Sequence, residues 1–228
     1  MTDQSDDGQA AAPKVRGRLA EIKQGWAESG RFLTGETRPA GERLPPGQHV
    51  VTNWPILDLG TRPKVAPERW QLRVFGLVEE SFTWDWQAML AQPQTRSVSD
   101  IHCVTTWSRY DNHWEGVATS VILAQARPRP EARFVVLYSY DDYTTNLPLA
   151  DFASPDALLA HRWEGEPLPV EHGGPVRLVV PHLYFWKSAK WLRRIEFVAE
   201  DRRGFWEERG YHDRGDPWAE QRYHDEED

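Results

Sequence analysis

Cys103 is the only cysteine of this 228-residue chain, and three kinds of chemistry are open to a single thiol. It can act as a nucleophile if a histidine takes its proton. His102 is adjacent, but neighbours on a strand point to opposite faces, so a histidine distant in sequence would have to serve as the base. It can bind zinc, which asks for several Cys or His residues at short spacing; that spacing and HExxH are both missing. It can be the one protein thiolate on a soft-accepting metal whose remaining ligands belong to a cofactor. A small buried hydrophobe is the bland alternative to all three.

The third role calls for an anion site that holds the cofactor's phosphate. Residues 172–190, HGGPVRLVVPHLYFWKSAK, have the composition of one. Gly173 and Gly174 let a backbone approach closely. Arg177 offers a planar fork to phosphate oxygens, Lys190 a compact charge, and Ser188 a hydroxyl. Ordinary surface charges flanking a strand would have the same composition.

Several elements must position these groups. Residues 96–105 read as a strand that delivers Cys103, and residues 108–114 as a loop of mixed aromatic and polar side chains beyond it. Leu19, Ile22, Trp26 and Leu33 recur at helical spacing, after a polar, disordered start and before a Gly/Pro-rich connector that ends near residue 48. Residues 69–78 alternate as a strand, with a hairpin return at Phe82. Asp85 can cap a helix over 86–91, and Thr119 or Ser120 one over 120–126, ended by Pro128. Residues 133–140 are a buried strand and 141–149 a polar loop. Ser154-Pro155-Asp156 reads as a helix start, with the helix over 156–163. Residues 171–180 are a turn feeding a strand, and 194–199 a last strand. The sum is an α+β class, β-rich and mixed, in a single domain.

Composition excludes some functions. A net charge of −8 disfavours nucleic-acid binding, which needs basic surface. No apolar run reaches the length of a membrane span. One cysteine rules out an intrachain disulfide and fits a reducing compartment. The polar N-terminal stretch shows no signal-peptide pattern, so the expected localisation is cytoplasmic. Twelve tryptophans serve as core packing or as walls for a flat organic ligand.

HCVTTWS (102–108), then HGGPVR (172–177), then SAK (188–190), in that order, resembles the molybdopterin-binding domain of the sulfite oxidase family. The small bacterial members are the most similar, together with the catalytic subunit of the bacterial periplasmic methionine sulfoxide reductase. The resemblance covers roughly residues 48–200, leaving 1–47 as an N-terminal extension and 201–228 as an aromatic, charged tail packed on the domain with mobile last residues. It implies a sulfite-oxidase-type molybdopterin-binding fold with molybdenum and molybdopterin as cofactors. Cys103 would be the molybdenum ligand. His172, Arg177, Ser188, Ala189 and Lys190 would hold the pterin and its phosphate, and His102, Asn53 and Ser139 fall with the cofactor-binding positions. Thr52 and Trp54 replace the usual neighbours of that asparagine, and Ser139 matches a family threonine by spacing alone.

The residues after Cys103 depart from both the arginine-rich pattern of sulfite oxidases and the apolar one of the periplasmic reductases. Arg109 is the candidate there to reach substrate. Asp142 and Tyr143 are candidates for proton delivery or substrate orientation. The expected reaction is two-electron oxygen-atom transfer on a small sulfur oxyanion, an S-oxide or an N-oxide, with electrons exchanged with a separate donor or acceptor protein. A metal-free Cys-dependent hydrolase or transferase, and a noncatalytic binding module on the same fold, are the alternatives.

Overall fold

The computed structural model describes residues 43–224; the helix expected over 19–33 and most of the connector lie outside the described residues. In chain order the strands are β1 (His49–Val50), β2 (Gln71–Gly76), β3 (Phe82–Asp85), β4 (Gln94–His102), β5 (Trp107–Ala118) and β6 (Phe134–Ser139). They continue with β7 (Thr144–Pro148), β8 (Leu158–Trp163), β9 (Glu166–Pro167), β10 (Arg177–Val179) and β11 (Leu192–Val198). Three short helices intervene: α1 (Trp86–Leu90), α2 (Thr119–Ala126) and α3 (Leu149–Phe152). Strand-rich mixed sheets with few helices are the expected α+β class.

The described strands form two sheets. In one, β1, β5, β8 and β10 are successive neighbours, with β4 on β5 and β9 on β8. In the other the order is β3-β2-β11-β6-β7. Pairing is antiparallel except β1 on β5 and β2 on β11, which run parallel. β2 buries the alternate side chains Leu72 and Val74, and β11 buries Leu192, Ile195 and Phe197, its alternation broken by the register shift between Leu192 and Arg194. Full burial of such a side chain is worth roughly 1.5–3 kcal/mol. Trp70 is also buried, and its indole N–H donates to the Leu192 carbonyl at 2.9 Å.

Three expectations need correction. Residues 156–163 are not a helix: the stretch holds β8, flanked by β5 and β10. Leu158, Leu159, Ala160 and His161 are all buried, and a strand covered on both faces reads as an unbroken apolar run, which periodicity cannot tell from a helix. Residues 108–114 are not a loop but the first half of β5, paired along β4. Their alternation was hidden because Ser108 and Asn112 are polar yet buried. Residues 144–148 are likewise a strand, β7. Its Thr145 and Asn146 are buried among partners, Thr145 donating to Glu207 at 2.8 Å and Asn146 to Asp201 at 2.7 Å.

The helix starts fare differently. Asp85 caps α1, its carboxylate accepting from Ala88 N at 2.8 Å. At α2 neither Thr119 nor Ser120 is the cap; Ala118 holds that position without a side-chain bond. Thr119 is turned inward and donates to the Phe152 carbonyl at 2.6 Å. Arg127, in the left-handed conformation at φ 47°, ends α2 one residue before Pro128.

Candidate active site

Two hairpin tips and one long connection converge on a single cleft. The β4–β5 tip is a tight turn, with Cys103 N donating to Trp107 O at 2.9 Å and Thr106 N to Cys103 O at 3.0 Å. Thr106 takes φ 75° to close it. Gln48 pins the turn from outside, its amide donating to Cys103 O at 3.0 Å. Cys103 Sγ lies 3.1 Å from the Thr105 hydroxyl, which can donate to a thiolate. The β6–β7 tip is a second turn, closed by Ser139 N to Tyr143 O at 2.9 Å. The third contribution comes from residues 170–191, between β9 and β11.

The cleft holds about 810 Å³ of non-atom space, part of it open to solvent at the mouth. Cys103, Tyr143, Arg177, Ser188 and Lys190 all line it, so five positions far apart in sequence meet at one place. Aromatic side chains supply much of the remaining wall, among them Trp54, Trp107, Trp186, Trp191 and Trp206.

Arg177 is almost fully buried. It donates to the carbonyls of His172 and Ser188 at 2.7 Å each and of Leu178 at 3.3 Å. Its guanidinium lies 4.0 Å from the Phe185 ring. Among the described residues it forms no ion pair, and burial pulls it down to about 9. A buried cation without a counter-ion is costly, and an anion entering the cleft would relieve that. Gly173, at φ 109°, packs so closely that an added Cβ would come within 3.0 Å of Lys190 Cα. Lys190 donates to the Glu171 carbonyl at 2.5 Å, and Ser188 Oγ accepts from Val180 N at 2.9 Å. Ala189 is buried behind them, its carbonyl accepting from Leu178 N.

His172 stacks on Trp54 at 3.8 Å and 5°. Burial, then Arg177 and Lys190, hold it down to about 3, so it is neutral near pH 7. Its Nδ1 is buried without a partner among the described residues, as are Trp107 Nε1 in the cleft wall and Ser139 Oγ behind the second tip.

Other expected positions lie elsewhere. Asn53 is exposed, and its neighbour Trp54 takes the place in the wall. His102 points to the opposite side of the turn, bonded through Nδ1 to Ser108 Oγ at 2.9 Å and edge-on to Trp218. Burial lowers it to about 4. Arg109 donates to the Thr52 carbonyl and to Asn112, and lies 4.8 Å from the Trp163 ring; it does not line the cleft. Asp142 turns outward at φ 64°, while Asp141 faces the cleft. Burial pushes the Asp141 carboxyl up to about 6, against the backbone N–H of Tyr143 that bonds it. Tyr143 is buried, which raises its phenol well above the usual range, and it donates to the Trp186 carbonyl at 2.7 Å.

Sequence reasoning missed Asp141, Trp54, Trp206 and Tyr211. The tryptophans carried a signal in their number and Asp141 in its adjacency to Asp142. Tyr211 carried none.

A lone thiol, a buried unpaired guanidinium, a second cation and an aromatic slot define a domain that holds a flat anionic cofactor beside one protein ligand. Among the described residues no group of three His, Cys, Asp or Glu could bind a metal unaided. The chain belongs to the oxidoreductase family with a molybdopterin-binding domain, whose family model, "Oxidoreductase molybdopterin binding domain", matches residues 59–206. It is 48% identical over 186 residues to the "Uncharacterized oxidoreductase YuiH" of Bacillus subtilis, covering 80% of this chain and 94% of that one. It is 28% identical over 202 residues to the "Protein-methionine-sulfoxide reductase catalytic subunit MsrP" of Ralstonia nicotianae, over 77% of this chain but 61% of that one. The fold is that of the sulfane dehydrogenase SoxCD from Paracoccus pantotrophus, at TM-score 0.57 and 24% identity, covering 62% of this chain and 41% of that chain.

The protein is therefore a molybdopterin-dependent oxidoreductase, with molybdenum and molybdopterin as its cofactors. The residues present fit that group: one thiolate donor, an unpaired buried arginine for a phosphate, and buried polar atoms waiting for partners. Cys103 would ligate the metal, and Arg177, Ser188 and Lys190 would hold the pterin and its phosphate. Among the described residues the side chain hydrogen-bonded to the thiol is Thr105, not a histidine.

Proposed function

We propose that this protein reduces a neutral S-oxide or N-oxide, taking electrons from a separate donor protein. The balance for an S-oxide is one S–O bond broken, two electrons and two protons consumed, and a thioether and one water formed. When bound, the molybdenum–pterin cofactor supplies reversible two-electron chemistry. The chain supplies the thiolate of Cys103, the cation clamp and an aromatic-walled pocket. Asp141, half-buried in the cleft, is positioned to hold and pass a proton near neutral pH.

The observation that carries this reading is that Arg177 is the one arginine among the described residues lining the cleft; the buried Arg222, bonded to the Val104 carbonyl, is not in that lining. Arg177 lies with Trp54 and Phe185 at the cofactor clamp. Arg109 is held outside the cleft by Thr52 and Asn112. The cleft lining beside Cys103 in sequence is Val104, Thr105 and Trp107, and Tyr143 and Tyr211 also line it. A dianion such as sulfite would enter such a pocket uncompensated, whereas a neutral oxide would not. The Ralstonia relative, named as a methionine-sulfoxide reductase, supports the same class.

The test is a two-way assay on molybdenum-loaded protein. Viologen-driven reduction of methyl phenyl sulfoxide and trimethylamine N-oxide is compared with ferricyanide-coupled oxidation of sulfite. Oxide reduction is expected to dominate by at least ~10-fold; sulfite oxidation dominating would overturn the proposal. The proposed compartment is the cytoplasm, where a lone thiol stays reduced. Fractionation of the native host would place it.

A further inference from the structure

The family match ends at residue 206, yet the chain continues along the cleft. Phe205 N donates to the Thr144 carbonyl at 2.9 Å, tying the C-terminal segment to the start of β7. Trp206 and Tyr211 then enter the wall of the cleft. Arg222, fully buried, crosses back and donates to the Val104 carbonyl at 2.7 Å and to the Pro46 carbonyl at 3.1 Å. The segment is thereby latched onto the residue next to Cys103.

The Tyr211 ring is held by three aromatic neighbours. It stacks on Trp206 at 5.0 Å and 17°, meets Trp186 edge-on at 4.9 Å, and meets Tyr223 edge-on at 5.5 Å. The two cleft tyrosines differ in their hydroxyls. That of Tyr143 donates to the Trp186 carbonyl. That of Tyr211 makes no hydrogen bond to any described residue, and burial keeps it protonated by raising the phenol well above its usual range. Tyr211 and Cys103 line the same cleft.

We propose that Tyr211, supplied by the segment beyond the family domain, is the substrate-orienting hydroxyl of the cleft and donates to the oxygen of a neutral S-oxide. The proposal rests on the oxide-reductase reading above. It fits the geometry: the ring is fixed, its donor is uncommitted, and it lies on the Trp186–Trp206 side rather than at the Arg177 clamp. It also makes Arg222 a positioning residue, because Arg222 fixes the segment against the Cys103 turn.

Calorimetric titration of the cofactor-loaded protein with methyl phenyl sulfoxide, with no electron donor present, tests it. Tyr211→Phe keeps the ring stack and is expected to weaken binding by ~3–10-fold, the worth of one hydrogen bond. Molybdenum content, pterin content and Tm should stay at the wild-type values. Tyr223→Phe, outside the cleft wall, is expected to bind as wild type. Wild-type affinity in Tyr211→Phe would overturn the assignment, and so would an equal loss in Tyr223→Phe, which would point to packing. Absence of saturable sulfoxide binding in the wild type, with sulfite binding in its place, would overturn the oxide reading itself and this assignment with it.

Discussion

Cys103 hangs from a turn whose backbone bonds do not involve the thiol. Cys103→Ala should therefore keep the turn and the pterin, released and measured by its fluorescence, while turnover is lost; full turnover would end the ligand assignment. Arg177 differs, because its charge is the proposed clamp on the cofactor phosphate. Arg177→Met is expected to lower pterin retention by ~10-fold or more, since a hydrogen bond to a charged group is worth about 1.5–3 kcal/mol. Arg177→Lys should retain more than Arg177→Met, as some charge survives without the fork. Residues of this kind were legible in the sequence because their chemistry is scarce: one thiol, and one Arg-Ser-Lys set behind two glycines. Neighbours were harder to separate. Asp141 and Trp54 face the cleft where Asp142 and Asn53 were expected; both pairs lie outside the strands, where no periodicity tells which neighbour faces in.

At the scale of elements, legibility followed hydropathy. β2, β3 and β6 were readable because their buried positions are apolar, Ser139 at the end of β6 excepted. β5 and β7 were not, because buried Ser108, Asn112, Thr145 and Asn146 put polar residues inside. β8 was misread because both its faces are covered. The joint between β5 and β8 is unforgiving: a Cβ on Gly116 would sit 1.9 Å from the Leu159 carbonyl oxygen. Gly116→Ala should force these strands apart and destabilise by about 3 kcal/mol or more, read as a fall in the denaturant midpoint. Asp85→Ala, at the exposed start of α1, should lose about 1 kcal/mol and leave cofactor content unchanged.

Across the whole molecule, the C-terminal segment is part of the body. Lys187 and Glu207 pair at 2.6 Å with both side chains fully buried. Tail packing was expected, but its part in the cleft was illegible, because it depends on where Tyr211 and Arg222 land. A second tie joins Asp151 on α3 to His182 and Arg214. Burial raises the Asp151 carboxyl, but those two bonds outweigh it and leave it at about 2, against 3.8 when free. Its stabilisation, on the order of 2 kcal/mol, is complete above the free value and disappears as pH falls through the folded one. Between pH 5 and pH 2.5, Tm should fall less in Asp151→Asn than in the wild type. The parallel pairing of β2 with β11 has a different kind of consequence. β11 is the middle strand of its sheet, so the sheet stays split until Leu192–Val198 has left the ribosome. Such non-local closure is slow. Cofactor capture is expected to follow the emergence of β11, and a nascent chain stalled before Leu192 should bind no pterin.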